Sequence, residues 1–69
     1  METIIINGTK KDFADGLPDN LSKLLAELNV NEATVVAEID GQVITRENFA
    51  ATGLRPGQQI ELVRFVPGG

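Results

Sequence analysis

The chain contains no cysteine, histidine, tryptophan or tyrosine among its 69 residues. Without cysteine there is no disulfide and no thiolate nucleophile, and without histidine there is no imidazole for acid–base catalysis. The usual cysteine and histidine ligands of a zinc site are missing as well. These absences exclude many catalytic and metal-binding functions, so we expect no catalytic residue, no metal site and no bound cofactor.

Positive charge and long hydrophobic runs are also scarce. Six Lys and Arg against ten Asp and Glu leave a net charge of −4, and the basic residues are scattered. A nucleic-acid-binding protein would normally carry a basic stripe. No apolar run approaches the roughly 20 residues of a membrane span. Met1 is followed by Glu2 and a short strand-like segment, which is not the pattern of a signal peptide. We therefore expect a cytoplasmic protein without nucleic-acid or membrane partners, whose acidic surface either keeps it soluble or attracts a basic partner.

Local patterns in the first two thirds of the chain predict two hairpins and one helix. Asn7-Gly8 and Asp40-Gly41 each separate two strand-like runs, and such pairs favour two-residue turns because both residues tolerate positive φ. Four leucines recur at the spacing of one helix face, namely Leu21, Leu24, Leu25 and Leu28. Asn20 is the expected N-cap of this helix, and Asn29 is its expected C-terminal stop.

The last third of the chain predicts a short helical turn and a final strand. Residues 46–51 form the turn, with Thr45 as its cap and Phe49 pointing inward, and residues 59–66 form the strand. The resulting order ββαβββ implies an α+β fold in which a mixed sheet of about five strands packs on one main helix. Because the first and last strands are the most apolar, we place the last in the sheet centre, parallel to the first.

The sequence ends in Pro67-Gly68-Gly69, which we predict to be a flexible tail after a folded domain of residues 1–66. Glycine adopts nearly any backbone angle, so two glycines make a thin thread that can enter a narrow channel. The α-carboxylate of Gly69 is then the distinctive chemical group, and adenylation would open it to attack by sulfur or nitrogen. We interpret Pro67 as projecting the tail away from the sheet; it can also end strand pairing, because it has no N–H to donate, and both can hold. A frayed end or a cloning remnant would give the same ending.

Alternation along the last strand predicts an apolar patch beside the tail. Ile60 and Leu62 are spaced to face the helix, which leaves Val63 and Phe65 on the other side, with Ile5 on the neighbouring strand. Exposed apolar patches often mark partner sites. We therefore interpret these three residues as a partner interface. A second small core or a one-residue bulge remains an alternative.

Two segments carry a resemblance to a known family. The first is VAEIDGQVI at residues 36–44, followed by Arg46 and Phe49 in an R-x-x-aromatic pattern, and the second is LRPGQQIELV at residues 54–63. With the Gly68-Gly69 ending, essentially the whole chain resembles the ThiS family of thiamine-biosynthesis sulfur carriers, which are ubiquitin-like proteins of the β-grasp fold. The Arg46–Phe49 segment separates it from the sibling molybdopterin carriers. Pro67 departs from the Gly or other small residue that is usual there.

The resemblance implies a protein co-substrate rather than an enzyme. An adenylyltransferase related to ubiquitin-activating enzymes would use ATP to adenylate the Gly69 carboxylate. Sulfur drawn from cysteine by a cysteine desulfurase would convert it to a thiocarboxylate, and thiazole synthase would take that sulfur into the thiazole ring. Two alternatives stay open, namely a sulfur carrier for molybdopterin or another thiolated product, and a non-covalent β-grasp binding module.

Overall fold

The structure, a computed structural model, describes residues 1–66. The elements in chain order are the strands β1 (Glu2–Ile6) and β2 (Thr9–Phe13), the helix α1 (Leu21–Glu27), and the strands β3 (Val35–Ile39), β4 (Gln42–Ile44) and β5 (Gln59–Arg64). Two short 3-10 segments accompany them, at Glu32–Thr34 and Arg46–Ala51. The predicted order ββαβββ is confirmed, and the first of the two 3-10 segments was not predicted.

The five strands form one mixed sheet in the order β2-β1-β5-β3-β4. β5 lies at the centre and parallel to β1, as predicted, and its other neighbour is the antiparallel strand β3. Its ladder with β3 is long and runs from Ile60 to Arg64, but its ladder with β1 involves only Ile5 and Ile6. The second half of β5 therefore has a neighbouring strand on one side alone.

Both predicted hairpin turns are confirmed and have nearly the same geometry. Asn7 and Gly8 have φ of 49° and 82°, and Asp40 and Gly41 have φ of 49° and 85°. Positive φ at both central residues is the signature of the turn whose twist matches that of the flanking strands. The two turns reverse the chain at the ends of β1 and β3, on either side of the central strand.

The single helix covers one face of the sheet. Asn20 caps it as predicted, since its side-chain oxygen accepts the Lys23 N–H at 2.9 Å, and Asn29 follows its end with φ of 58°. The leucine stripe points into the core, whose buried residues are Ile4, Phe13, Leu21, Leu24, Leu25, Val35, Ala37, Ile39, Phe49 and Ile60. These residues come from α1, four of the strands and the second 3-10 segment, so one core holds the domain together.

The Arg46–Ala51 segment seals one side of this core. Phe49 is 1% exposed, as its predicted inward position requires, and the Leu21 N–H at the start of α1 donates to the Thr52 carbonyl at 2.9 Å. Thr45 stands at the N-cap position, as predicted, but its side chain makes no hydrogen bond to the backbone N–H groups of the segment. Its hydroxyl oxygen accepts from the Asn48 side-chain amide at 2.8 Å.

The last strand is shorter than predicted. It ends at Arg64 rather than at Val66, because Val35, the partner of Arg64, is the first residue of β3. One further hydrogen bond follows, from the Phe65 N–H to the Thr34 carbonyl at 2.9 Å. The backbone that leads toward the tail is therefore held by the β3 side of the sheet as far as Phe65.

Candidate functional site

The predicted reactive residues Pro67, Gly68 and Gly69 lie outside the described residues. The structure does show the strand that leads to them and the surface beside it. Phe65 and Val66, which follow β5, are 46% and 84% exposed. Consequently the route from the central strand to the predicted tail carries apolar side chains that the core does not use.

Val63 is the centre of the exposed apolar surface next to this route. It lies on the sheet face opposite α1, is 59% exposed, and pairs directly with Val36 of β3 across the ladder. Val36 is itself 43% exposed, and Phe65 continues the alternation of β5 on the side of Val63. We call Val36, Val63 and Phe65 the exit patch. Val36 was missed by the sequence analysis, although its alternation with buried Ala37 is a signal that could have found it.

Ile5 does not join the exit patch. The register places it beside Gln59 on one side and Lys10 on the other, and its side chain is half-buried. Val63 is four residues further along β5 than Gln59, which is about 13 Å at the rise of a strand. The register thus places Ile5 and Val63 at opposite ends of the same face.

Two glutamates separate Ile5 from the exit patch. Glu38 of β3 and Glu61 of β5 are direct partners in the antiparallel ladder, so their side chains lie side by side on the open face. Like charges in this position disfavour the pairing of the strands. Val43 of β4, also exposed, lies opposite Glu38 on the far side. The open face is therefore apolar at the tail end and acidic in its middle.

Elsewhere, residues 1–66 show a surface depression but no candidate metal site and no membrane-spanning helix. Residues 1–66 contain no group of three or more acidic, histidine or cysteine side chains that could hold a metal ion. Within the same range, no helix is long and apolar enough to cross a membrane. A shallow depression of about 290 Å³ is lined by Asp40, Arg55, Pro56, Gly57 and Gln58. It lies at the start of β5, at the opposite end of that strand from the exit patch.

A mixed five-stranded sheet on one helix, with the last strand central and parallel to the first, is the ubiquitin-like β-grasp arrangement. The model of the ThiS family matches residues 4–69. The chain therefore belongs to the ThiS family, as the resemblance of its sequence indicated.

Two solved structures resemble the chain over nearly its full length. The crystal structure of the thiamine biosynthesis protein (ThiS) from Geobacter metallireducens has a TM-score of 0.82 and 32% identity, with 97% of this chain and 99% of that chain covered. The NMR solution structure of a thiamine biosynthesis protein from the same organism has a TM-score of 0.77 and 32% identity, with 97% and 87% covered.

One curated relative is much longer than the chain. It is a thiazole synthase from Paramagnetospirillum magneticum, and the two are 27% identical over 66 residues. The match covers 96% of this chain but only 20% of the relative, so the chain spans about a fifth of that protein's length.

Proposed function

We propose that the chain is a sulfur carrier of thiamine biosynthesis, whose Gly69 carboxylate is adenylated and then converted to a thiocarboxylate. The observation that carries the proposal is the match to the ThiS family, because it extends from residue 4 through both terminal glycines to residue 69. The composition agrees with a carrier, since a chain without cysteine and histidine has few groups for catalysis of its own.

The proposed chemistry needs no side chain of this protein. The carboxylate oxygen of Gly69 attacks the α-phosphate of ATP, which forms an acyl adenylate and releases pyrophosphate. A hydrosulfide equivalent then attacks the acyl carbon and displaces AMP, which leaves the thiocarboxylate and one proton. The sum of the two steps replaces one carboxylate oxygen with sulfur. ATP is consumed on the activating enzyme, so the carrier itself requires no cofactor.

The partners of this cycle are three enzymes. A ubiquitin-activating-like adenylyltransferase forms the adenylate, and a thiazole synthase consumes the sulfur. A cysteine desulfurase supplies that sulfur as a persulfide, which a thiol reductant converts to the hydrosulfide level. Similarity between this chain and part of a protein named thiazole synthase supports thiazole synthase as one of these partners. In a carrier of this kind the folded domain is a handle, and the enzymes recognise its surface while the tail reaches their active sites.

We place the docking surface on the exit patch. Val63 and Phe65 are exposed apolar residues next to the start of the tail, and Val36 extends the patch onto β3. An apolar surface bordered by the Glu38–Glu61 pair suits a partner that has an apolar centre and a basic rim. Ile5, on the same face but distant from the patch, would contact only a partner that covers the whole face.

Intact-mass measurement tests the proposal directly. The chain is incubated with its adenylyltransferase, ATP and sulfide, and its mass should rise by the difference between one sulfur and one oxygen atom. Deletion of Gly69 should abolish the change. Gly53→Ala is the matched control, because Gly53 lacks a positive φ and a Cβ added there meets no atom within 4 Å. That variant should gain sulfur as the parent chain does.

Other outcomes would favour the alternatives. A parent chain whose mass stays constant with the cognate enzyme contradicts the carrier function. If deletion of Gly69 leaves biological activity intact, a non-covalent binding module explains the fold better. Complementation separates the two carrier pathways, because rescue of a molybdenum-cofactor-deficient strain rather than a thiamine-requiring strain would assign the sulfur to molybdopterin.

A further inference from the structure

The side chain of Asn7 forms two hydrogen bonds with the backbone of a single residue in β5. Its Oδ1 accepts the Leu62 N–H at 2.7 Å, and its Nδ2 donates to the Leu62 carbonyl at 3.2 Å. The backbone N–H of Asn7 also donates to the Ile60 carbonyl at 2.9 Å. One residue of the first hairpin turn therefore contacts β5 at two successive positions of its β1-facing edge.

This contact replaces strand pairing that β1 cannot provide. The last residue of β1 in the ladder is Ile6, opposite Ile60, after which the chain reverses into β2. The next N–H and carbonyl of β5 that face the same side belong to Leu62. The side-chain amide of Asn7 supplies one acceptor and one donor to them, which in a continued parallel ladder would come from two successive bonding positions of β1. Asn also tolerates the positive φ of the turn, so a single residue serves both purposes.

The second hairpin turn provides a natural comparison. Asp40 occupies the same place in its turn and has the same φ of 49°. Its Oδ1 accepts the Gln59 N–H at 2.9 Å, and its own N–H donates to the Gln59 carbonyl at 2.8 Å. Asp40 thus holds the start of β5 on the β3 side, whereas Asn7 holds the second half of β5 on the β1 side.

We propose that Asn7 is a positioning residue that sets the direction in which the C-terminal tail leaves the domain. The inference rests on the proposed function. Beyond Ile60, β5 is held on one side by its ladder with β3 and on the other by Asn7 at Leu62. A strand bonded along one edge can pivot about that edge, and a bond on the second edge opposes the pivot.

A small pivot has a large effect at the reactive end. Val66, the last described residue, is four residues after Leu62, and at about 3.3–3.6 Å per residue it lies at most about 14 Å away. Over that length, a tilt of about 8° moves the start of the tail by about 2 Å. Misplacement of a reacting group by about 1 Å can cost as much as about a hundredfold in rate. Since flexible glycines recover part of the error, we expect about a tenfold loss.

The test compares Asn7→Gly with Asp40→Gly. Each variant keeps a residue that accepts positive φ. Asn7→Gly removes two side-chain hydrogen bonds to β5, and Asp40→Gly removes one. Pyrophosphate release by the adenylyltransferase is measured against carrier concentration, at a temperature where circular dichroism shows both variants folded. Asn7→Gly should lower kcat about tenfold with KM unchanged, since the exit patch is intact. Asp40→Gly should leave both constants at the parent values.

Asn7→Asp sharpens the test without removing the side chain. The carboxylate keeps an acceptor for the Leu62 N–H but places an oxygen against the Leu62 carbonyl, so kcat should fall as well. Amide hydrogen exchange at Leu62 should be faster in Asn7→Gly than in the parent, because the Leu62 N–H loses its acceptor.

Three results would overturn the inference. These are a normal kcat for Asn7→Gly, equal losses for Asn7→Gly and Asp40→Gly, and unchanged exchange at Leu62 in Asn7→Gly. A parent chain that releases no pyrophosphate would instead refute the proposed function itself, and the inference would fall with it.

Discussion

The two faces of the sheet are built from the same strands and similar side chains, yet only one face holds the fold together. On the face covered by α1, Ile4, Ala37 and Ile60 are at most 1% exposed. On the open face, Val36, Val43 and Val63 are between 43% and 61% exposed. The alternation of each strand supplies both sets of residues, and the position of the single helix decides which set becomes the core.

The difference in burial suggests that the covered face stabilises the domain and that the open face is available for binding. Burial of an apolar side chain stabilises the domain, whereas an exposed valine contributes mainly through its preference for the pleated backbone. We therefore expect substitutions on the open face to cost little stability. This face is also the one on which two glutamates are paired despite their repulsion. These properties agree with the docking surface that we propose on the exit patch.

The largest expected effect is on stability and comes from the covered face of β5. Ile60→Ala should lower the free energy of unfolding by about 2–5 kcal/mol, because it removes buried methyl groups and leaves a cavity. A domain of this size has only roughly 3–10 kcal/mol in total. Val63→Ala, on the open face of the same strand, should change it by less than about 1 kcal/mol. Urea denaturation of the two variants measures both values.

Equal losses in the two variants would break the comparison between the faces. A loss above about 2 kcal/mol in Val63→Ala would show that Val63 belongs to a second core, as one alternative from the sequence supposed. In that case the exit patch could not serve as a free docking surface.

The second effect concerns binding and comes from the open face. Val63→Asp should weaken docking to the adenylyltransferase about tenfold or more, because it places a charge in the centre of an apolar contact. Val43→Asp is the matched control, since Val43 is 61% exposed against 59% for Val63 and lies on the outer strand β4. Calorimetric titration of the folded variants gives the two affinities.

The pattern of losses locates the interface. Weaker binding in both variants would extend the docking surface across the whole open face, to which Ile5 also belongs. Parent-like binding by Val63→Asp would remove the exit patch from the interface. Phe65→Asp would then show whether the partner contacts only the residues that follow β5.

Much of the fold could be predicted from the sequence because its signals are local. The runs around Asn7-Gly8 and Asp40-Gly41 fix two hairpins, and the leucine spacing fixes α1. The apolar character of β1 and β5 was enough to place β5 in the centre. Each of these inferences uses residues that are close together in the chain, or the general preference of apolar strands for the middle of a sheet.

The features that were missed depend on contacts between distant parts of the chain. Asn7 and Leu62 are 55 residues apart, and nothing near either residue reveals that the amide of one meets the backbone of the other. The distance of Ile5 from the exit patch follows from the register between β1 and β5, which alternation alone does not give. The end of β5 likewise depends on where its partner β3 begins.

The smallest expected effect is on stability and comes from the N-cap of α1, the helix that covers one face of the sheet. Asn20→Ala should lower the free energy of unfolding by about 1 kcal/mol, because the Lys23 N–H loses its acceptor at the first turn. Asp19→Asn is the control, since it only removes the charge from an exposed pair with Lys23 at 3.0 Å, and should cost less than about 0.5 kcal/mol. Thermal unfolding of the two variants resolves the difference. A cost for Asn20→Ala no greater than for Asp19→Asn would show that packing of the leucines against the sheet holds α1 without its cap.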